Sequence, residues 1–172
     1  MVIEDETLMY RNVVWHTYEI HYSDFDKVID DFDNKLVAAG LTINGPLFYA
    51  LHNPPLEEVM LIDMFIPVEQ NDVSPQTNLR FQSYYFIDQM LMTRVTGDVE
   101  KETEASYEKL FRFIIQNDMQ IVSPIYHIFR GDDELQWVDL KVKAILEEGE
   151  NKRFEEEFME KYINQADEDS SI

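Results

Sequence analysis

Leu41-Thr42-Ile43-Asn44-Gly45-Pro46-Leu47-Phe48-Tyr49-Ala50-Leu51 and Met119-Gln120-Ile121-Val122-Ser123-Pro124-Ile125-Tyr126-His127-Ile128-Phe129 are one pattern written twice. Proline lies over proline at an offset of 78 residues, and the residues that follow match in size and polarity. After a two-residue gap, Ile62-Asp63-Met64-Phe65-Ile66 lies over Val138-Asp139-Leu140-Lys141-Val142. A repeat at this spacing is a whole supersecondary unit duplicated, not a solenoid of short repeats.

The flanking sequence supplies the rest of each unit. Residues 11–22 are rich in β-branched and aromatic types and predict a strand. Ser23 stands where a helix N-cap belongs, with Asp24 and Asp26 in the first turn. Phe25, Val28, Ile29, Phe32 and Leu36 form one helical stripe, which Gly40 ends. Residues 46–52 and 58–68 give two further strands, and the polar segment 69–78 is a linker. The pattern then restarts: a strand at 81–95, a helix over 100–117 burying Tyr107, Leu110, Phe111 and Ile114, and strands at 124–130 and 136–146. The predicted class is α+β. A βαββ unit, repeat one about 11–68 and repeat two about 80–146, gives one antiparallel sheet with two helices on one face. Residues 147–172 form an acidic C-terminal helix and tail, with Phe154, Phe158 and Tyr162 on one helix face as a partner-binding or self-docking surface.

Composition narrows the function. At 172 residues the chain suits one domain with a real core. Fourteen basic against thirty-five acidic residues give a net charge of −21, which repels phosphates and argues against nucleic acid as a partner. Such a charge confers solubility and steers towards basic partners. There are no cysteines, so thiol catalysis, disulfides and cysteine-ligated zinc are excluded. No apolar run is long enough for a membrane span, and the N-terminus has no signal-peptide pattern, so the expected compartment is the cytoplasm. No phosphate loop, dinucleotide fingerprint or zinc-helix motif is present, and neither metal nor cofactor is expected. His16 and His21, five apart on a strand, point to opposite faces and do not share a metal.

Strand alternation sorts the side chains. Met64, Ile66, Leu140 and Val142 are uniformly apolar and should face the helices. Asp63, Phe65, Trp137, Asp139 and Lys141 should face the other way. Tyr49, Leu51, His127 and Phe129 are assigned to that same open face, giving a concave, aromatic, polar-dotted cleft. His127 there is either a base or pH-sensitive contact near Asp63 or Asp139, or a hydrogen-bonded filler. Asp63 and Asp139 either act as paired carboxylates or hold local contacts, with Lys141 an obvious partner. Trp15, Tyr84, Tyr85 and Trp137 are either core or cleft.

Gly45-Pro46-Leu47-Phe48-Tyr49, Ile66-Pro67-Val68, Gly97, Tyr107-Glu108-Lys109-Leu110-Phe111 and Ser123 to Phe129 resemble the gyrase-inhibitor-like, or effector-binding domain, superfamily over residues 10–146. That resemblance implies binding of aromatic or cationic small molecules on the open sheet face. The glutamate and tyrosine that many members carry on the later central strand are His127 and Phe129 here, so the acidic group that would bind a cation is missing at that place, which argues against drug sensing and hydrolysis and leaves the shape of the cleft. Ile3-Glu4, Tyr10-Asn12-Val13 and Phe65 to Glu69 are similar to small acidic proteins of low-GC Gram-positive bacteria encoded beside LXG-type toxins of the type VII secretion system. This second resemblance implies an adaptor or chaperone with a toxin or secretion component as its partner. The expected function is therefore non-catalytic binding: of a protein partner first, or of a small molecule in the cleft.

Overall fold

The computed structural model describes residues 1–146 and 159–164. The chain is α+β, with one antiparallel seven-stranded sheet. Strand β1 (Ile3–His21) leads into helix α1 (Phe25–Ala38), then β2 (Phe48–Leu51) and β3 (Val59–Pro67). Strand β4 (Arg80–Thr96) leads into α2 (Val99–Gln116), the short β5 (Met119–Ile121), β6 (Ile125–Gly131) and β7 (Gln136–Leu146). A further helical stretch covers 159–164. The strand β5 is absent from the sequence expectation, and β1 begins at Ile3 rather than at residue 11. Ser23 is not an N-cap. It sits in a 3₁₀ turn, where its amide bonds His21 Nδ1 at 3.2 Å, and α1 starts after Asp24.

The strand order is β4-β1-β3-β2-β6-β7-β5, and β4 also pairs with β7. The first six strands therefore close into a ring, and the sheet is not open. The long strands make this possible, because each serves two neighbours. Strand β1 meets β4 along most of its length and β3 from Val13 onward. Strand β4 meets β7 from Met90 onward. Just before each switch sits a residue of left-handed backbone, Asn12 (φ 53°) and Gln89 (φ 53°). Between the Glu6–Met90 and Leu8–Ile87 pairs, at Gln89, the β1–β4 register shifts, and a bulge of this kind bends a strand and increases its twist. Here it sits where β4 turns to its second partner, β7.

Direct cross-strand partners give two rows that define the faces. Met64, Tyr49, His127 and Leu140 are neighbours across β3, β2, β6 and β7. Met64 packs in one core with Val28, Phe32 and Leu36 of α1, and Leu140 in another with Leu110, Phe111 and Ile114 of α2. Both helices thus cover one side of the sheet. The other row runs Trp15, Phe65, Phe48, Ile128, Asp139, Arg94 and lies inside the ring. A third core, containing no helix residue, fills that interior with Leu8, Phe48, Phe65, Met90, Tyr126 and Ile128. Phe48 and Phe65 stack with centroids 4.8 Å apart.

The two quoted stretches behave alike at their strand entries. A Cβ on Gly45 would lie 2.7 Å from the Pro67 ring, so glycine is needed where that proline closes in. At the matching place Ser123 stands opposite Lys143. Proline has no amide hydrogen to satisfy, whereas the Lys143 amide donates to Ser123 Oγ at 2.8 Å.

Ring closure places a cost on Gln89, since left-handed backbone is unfavourable for non-glycine residues by ~1–3 kcal/mol. Gln89→Gly should match or exceed the parent in unfolding free energy by up to about 1 kcal/mol. Gln89→Val should fall below Gln89→Gly by at least about 1 kcal/mol. Equal urea midpoints for the two variants would show that the bend is not required.

Candidate functional site

The inner face carries its chemistry at two places. In the first, Asp63 on β3 is the hub. Thr17, its cross-strand partner on β1, donates from Oγ1 to Oδ1 at 2.5 Å. His52, just past the end of β2, meets Oδ2 through Nε2 at 2.8 Å. The Asp63 side chain is 19% exposed, and among the described residues no lysine or arginine pairs with it. Tyr85 and Tyr126 share a hydroxyl–hydroxyl bond of 2.6 Å beside it. Burial holds both phenols above their ordinary value, and the Asp63 charge adds to this. Their rings join Phe65, Phe48 and Trp15 in one aromatic cluster. The result is a partly open carboxylate near an aromatic cluster, and carboxylates and π-faces both attract a cation.

The second place is built around Asp139 on β7, which is buried. Arg94 of β4 grips both of its oxygens, Nε to Oδ1 at 2.7 Å and Nη2 to Oδ2 at 3.2 Å. Arg130 approaches Oδ2 at 3.6 Å, and the Arg94 guanidinium lies 5.1 Å from the Trp137 ring centroid. Lys141 is not the partner of Asp139. It sits two residues along the same strand and turns instead to Glu6 at 3.1 Å and the Thr7 carbonyl at 2.6 Å. Asp63 and Asp139 thus occupy matching strand positions with opposite surroundings: one lacks a permanent counter-charge and the other has two.

Of the residues expected in the cleft, the fold brings Asp63, Phe65, Trp137 and Asp139 to the inner face. It places Tyr49, Leu51, His127 and Phe129 on the opposite, helix-covered face, which corrects their assignment. Leu51 belongs to the α1 core. Tyr49 stacks on His127 at 4.2 Å between centroids and leans on Phe25 of α1. Phe129 packs against Phe25 and Tyr49. His127 is 2% exposed, and its Nε2 is hydrogen-bonded to the Tyr107 hydroxyl of α2. It is close to neither Asp63 nor Asp139, so a role as their base is lost. Tyr162 lies edge-on to Phe111 at 5.0 Å, on its own domain. Phe154 and Phe158 lie outside the described residues. Thr17, His52, Tyr85 and Tyr126 complete the Asp63 site. The parity of β3 pointed to Asp63, but its neighbours follow only once the β1–β3 and β2–β6 registers are known.

A family model described as a domain of unknown function, DUF5085, matches residues 9–146. The chain belongs to the DUF5085 family. No curated protein sequence matches this DUF5085 chain. Its fold is similar to the crystal structure of the EcmrR C-terminal domain, with a TM-score of 0.57 and 10% identity, covering 83% of this chain and 98% of that one. It is also similar to EcmrR in its DNA complex within EcmrR-RPo, with a TM-score of 0.63 and 14% identity, covering 83% of this chain and 58% of that one. At these identities the likeness is one of fold. Among the described residues of the DUF5085 chain, no helix is long and apolar enough to cross a membrane.

His127 makes a pH-dependent contribution to stability. Burial lowers its pKa to about 3, with the Ile125 and Tyr49 carbonyls opposing weakly. In the unfolded chain the ring takes up a proton near 6.5. Between these values the unfolded state binds more protons, so this stability is complete above about pH 6.5 and is lost as pH falls. Lowering the pH from 7 to 5.5 should therefore cost the parent about 1 kcal/mol more than His127→Gln, measured by urea unfolding. Parallel pH profiles would contradict the neutral buried ring.

Proposed function

We propose that this chain is a non-catalytic binding domain of the effector-binding type, formed by two copies of one βαββ unit, and that it takes an organic cation with aromatic character at the Asp63 end of the inner face. The observation that carries this is Asp63 itself, a carboxylate without a lysine or arginine partner among the described residues, set beside Tyr85, Tyr126 and Trp15. The fold likeness to EcmrR supports the class. The copy reading is supported by Asp63 and Asp139 at matching positions and by the Gly45–Pro67 and Ser123–Lys143 contacts.

Catalysis is not part of the proposal. Thr17 donates to the carboxylate and not to the imidazole, so His52 does not activate it as a nucleophile. A second reading, a protein partner such as an LXG-type toxin, rests on the sequence resemblance. It is supported by the exposed strip of Met9, Tyr84 and Phe86 on the outer side of the β1–β4 ribbon.

Tetraphenylphosphonium should raise the melting temperature of the parent in a saturable way. Asp63→Asn should bind it about tenfold more weakly or worse, ~1.4 kcal/mol. Equal binding by Asp63→Asn would sink the cation site. An unmoved melting temperature, together with co-purification of an LXG-type toxin that Phe86→Glu abolishes, would establish the protein-partner reading instead.

A further inference from the structure

The side of the sheet that bears the helices contains a cavity of about 610 Å³. Its walls come from Leu51 and the Pro54-Pro55 turn after β2, Phe111 of α2, the Ile121–Ile125 segment, and Met159 and Tyr162 of the helical stretch 159–164. The volume lies in the range of pockets that hold drug-sized molecules, about 300–1,000 Å³. Among the described residues the lining contains no aspartate, glutamate, lysine or arginine. One polar group stands out. The Tyr162 hydroxyl is buried and, among the described residues, has no hydrogen-bond partner. Burial, with Glu104 and Glu108 nearby, keeps that phenol protonated. It is therefore a donor without an acceptor, on the wall of an apolar space. Buried polar groups in folded proteins are normally paired, and an exception marks a place for a missing partner.

We propose that this cavity is a second binding site, separate from the Asp63 site, for an uncharged and mainly aromatic or aliphatic small molecule that offers an acceptor oxygen to Tyr162. Asp63 is not part of its lining. His52 touches both places, lining the cavity while its Nε2 holds Asp63, so it is left intact in the test.

The probe is prodan, a neutral naphthalene ketone whose emission moves to the blue in apolar surroundings, titrated into the full chain. Val122 lines the cavity and is itself exposed, so Val122→Trp can block the space without a cost to the core. The expected result is saturable, blue-shifted emission with one molecule per chain. Val122→Trp should weaken binding at least tenfold while keeping the parent's circular dichroism and melting curve. Tyr162→Phe should weaken it several-fold and move the emission further to the blue. Asp63→Asn should leave it unchanged. Absence of saturable emission overturns the proposal. So does binding that survives Val122→Trp, or that Asp63→Asn abolishes. Emission and affinity unaltered by Tyr162→Phe overturn the donor assignment.

Discussion

The simultaneous pairing of β4 with β1 and β7 governs the rest of this structure. Without it the sheet would have one face on the helices and one face in water. With it, the second face becomes an interior, and the side chains on it must fill a closed space. Phe48, Phe65, Met90 and Ile128 do so with almost no exposure. Closure depends on backbone as well as side chains, because β1 and β4 must each bend at the point where a second neighbour begins. Asn12 and Gln89, just before those points, have left-handed backbone.

A closed interior changes what a polar group inside it means. Asp139 is buried and is compensated by Arg94 and Arg130, so it ties β4, β6 and β7 together. Asp63 stands at the matching place in the first half of the chain. Its cross-strand neighbour is Thr17, where the second half has Arg94. A hydroxyl and an imidazole satisfy hydrogen bonds but supply no permanent charge. The two aspartates are thus alike in strand position and opposite in electrostatics, and the difference lies in their partners on β1 and β4. Asp63 is only 19% exposed and has no lysine or arginine partner among the described residues.

The sequence made part of this legible. The alternation in β3 and β7 is clear because their inner faces carry Asp63, Asp139 and Lys141, and those residues were placed correctly. The stripes of α1 and α2 were equally plain, since both helices have one solvated side. Strand β2 reads Phe48-Tyr49-Ala50-Leu51, apolar throughout because it is covered on both faces, so its parity leaves no trace in residue type. The same holds for β6, where His127 suggests an open surface but is buried, with its Nε2 bonded to Tyr107 of α2. The first ten residues pair with β4, a partner more than seventy residues away, and nothing local announces that pairing. Ring closure was therefore not visible, and with it the identity of Tyr85, Tyr126, Thr17 and His52 as the company of Asp63.

The central claim is that recognition of an organic cation belongs to the inner face at Asp63 and not to the surroundings of His127. Side-chain NMR of selectively labelled tyrosine and histidine, recorded as tetraphenylphosphonium is added, tests it most directly. The account predicts saturable shifts of Tyr85, Tyr126 and His52 while Tyr49, Tyr107 and His127 stay in place. Shifts confined to Tyr49, Tyr107 and His127 would contradict it.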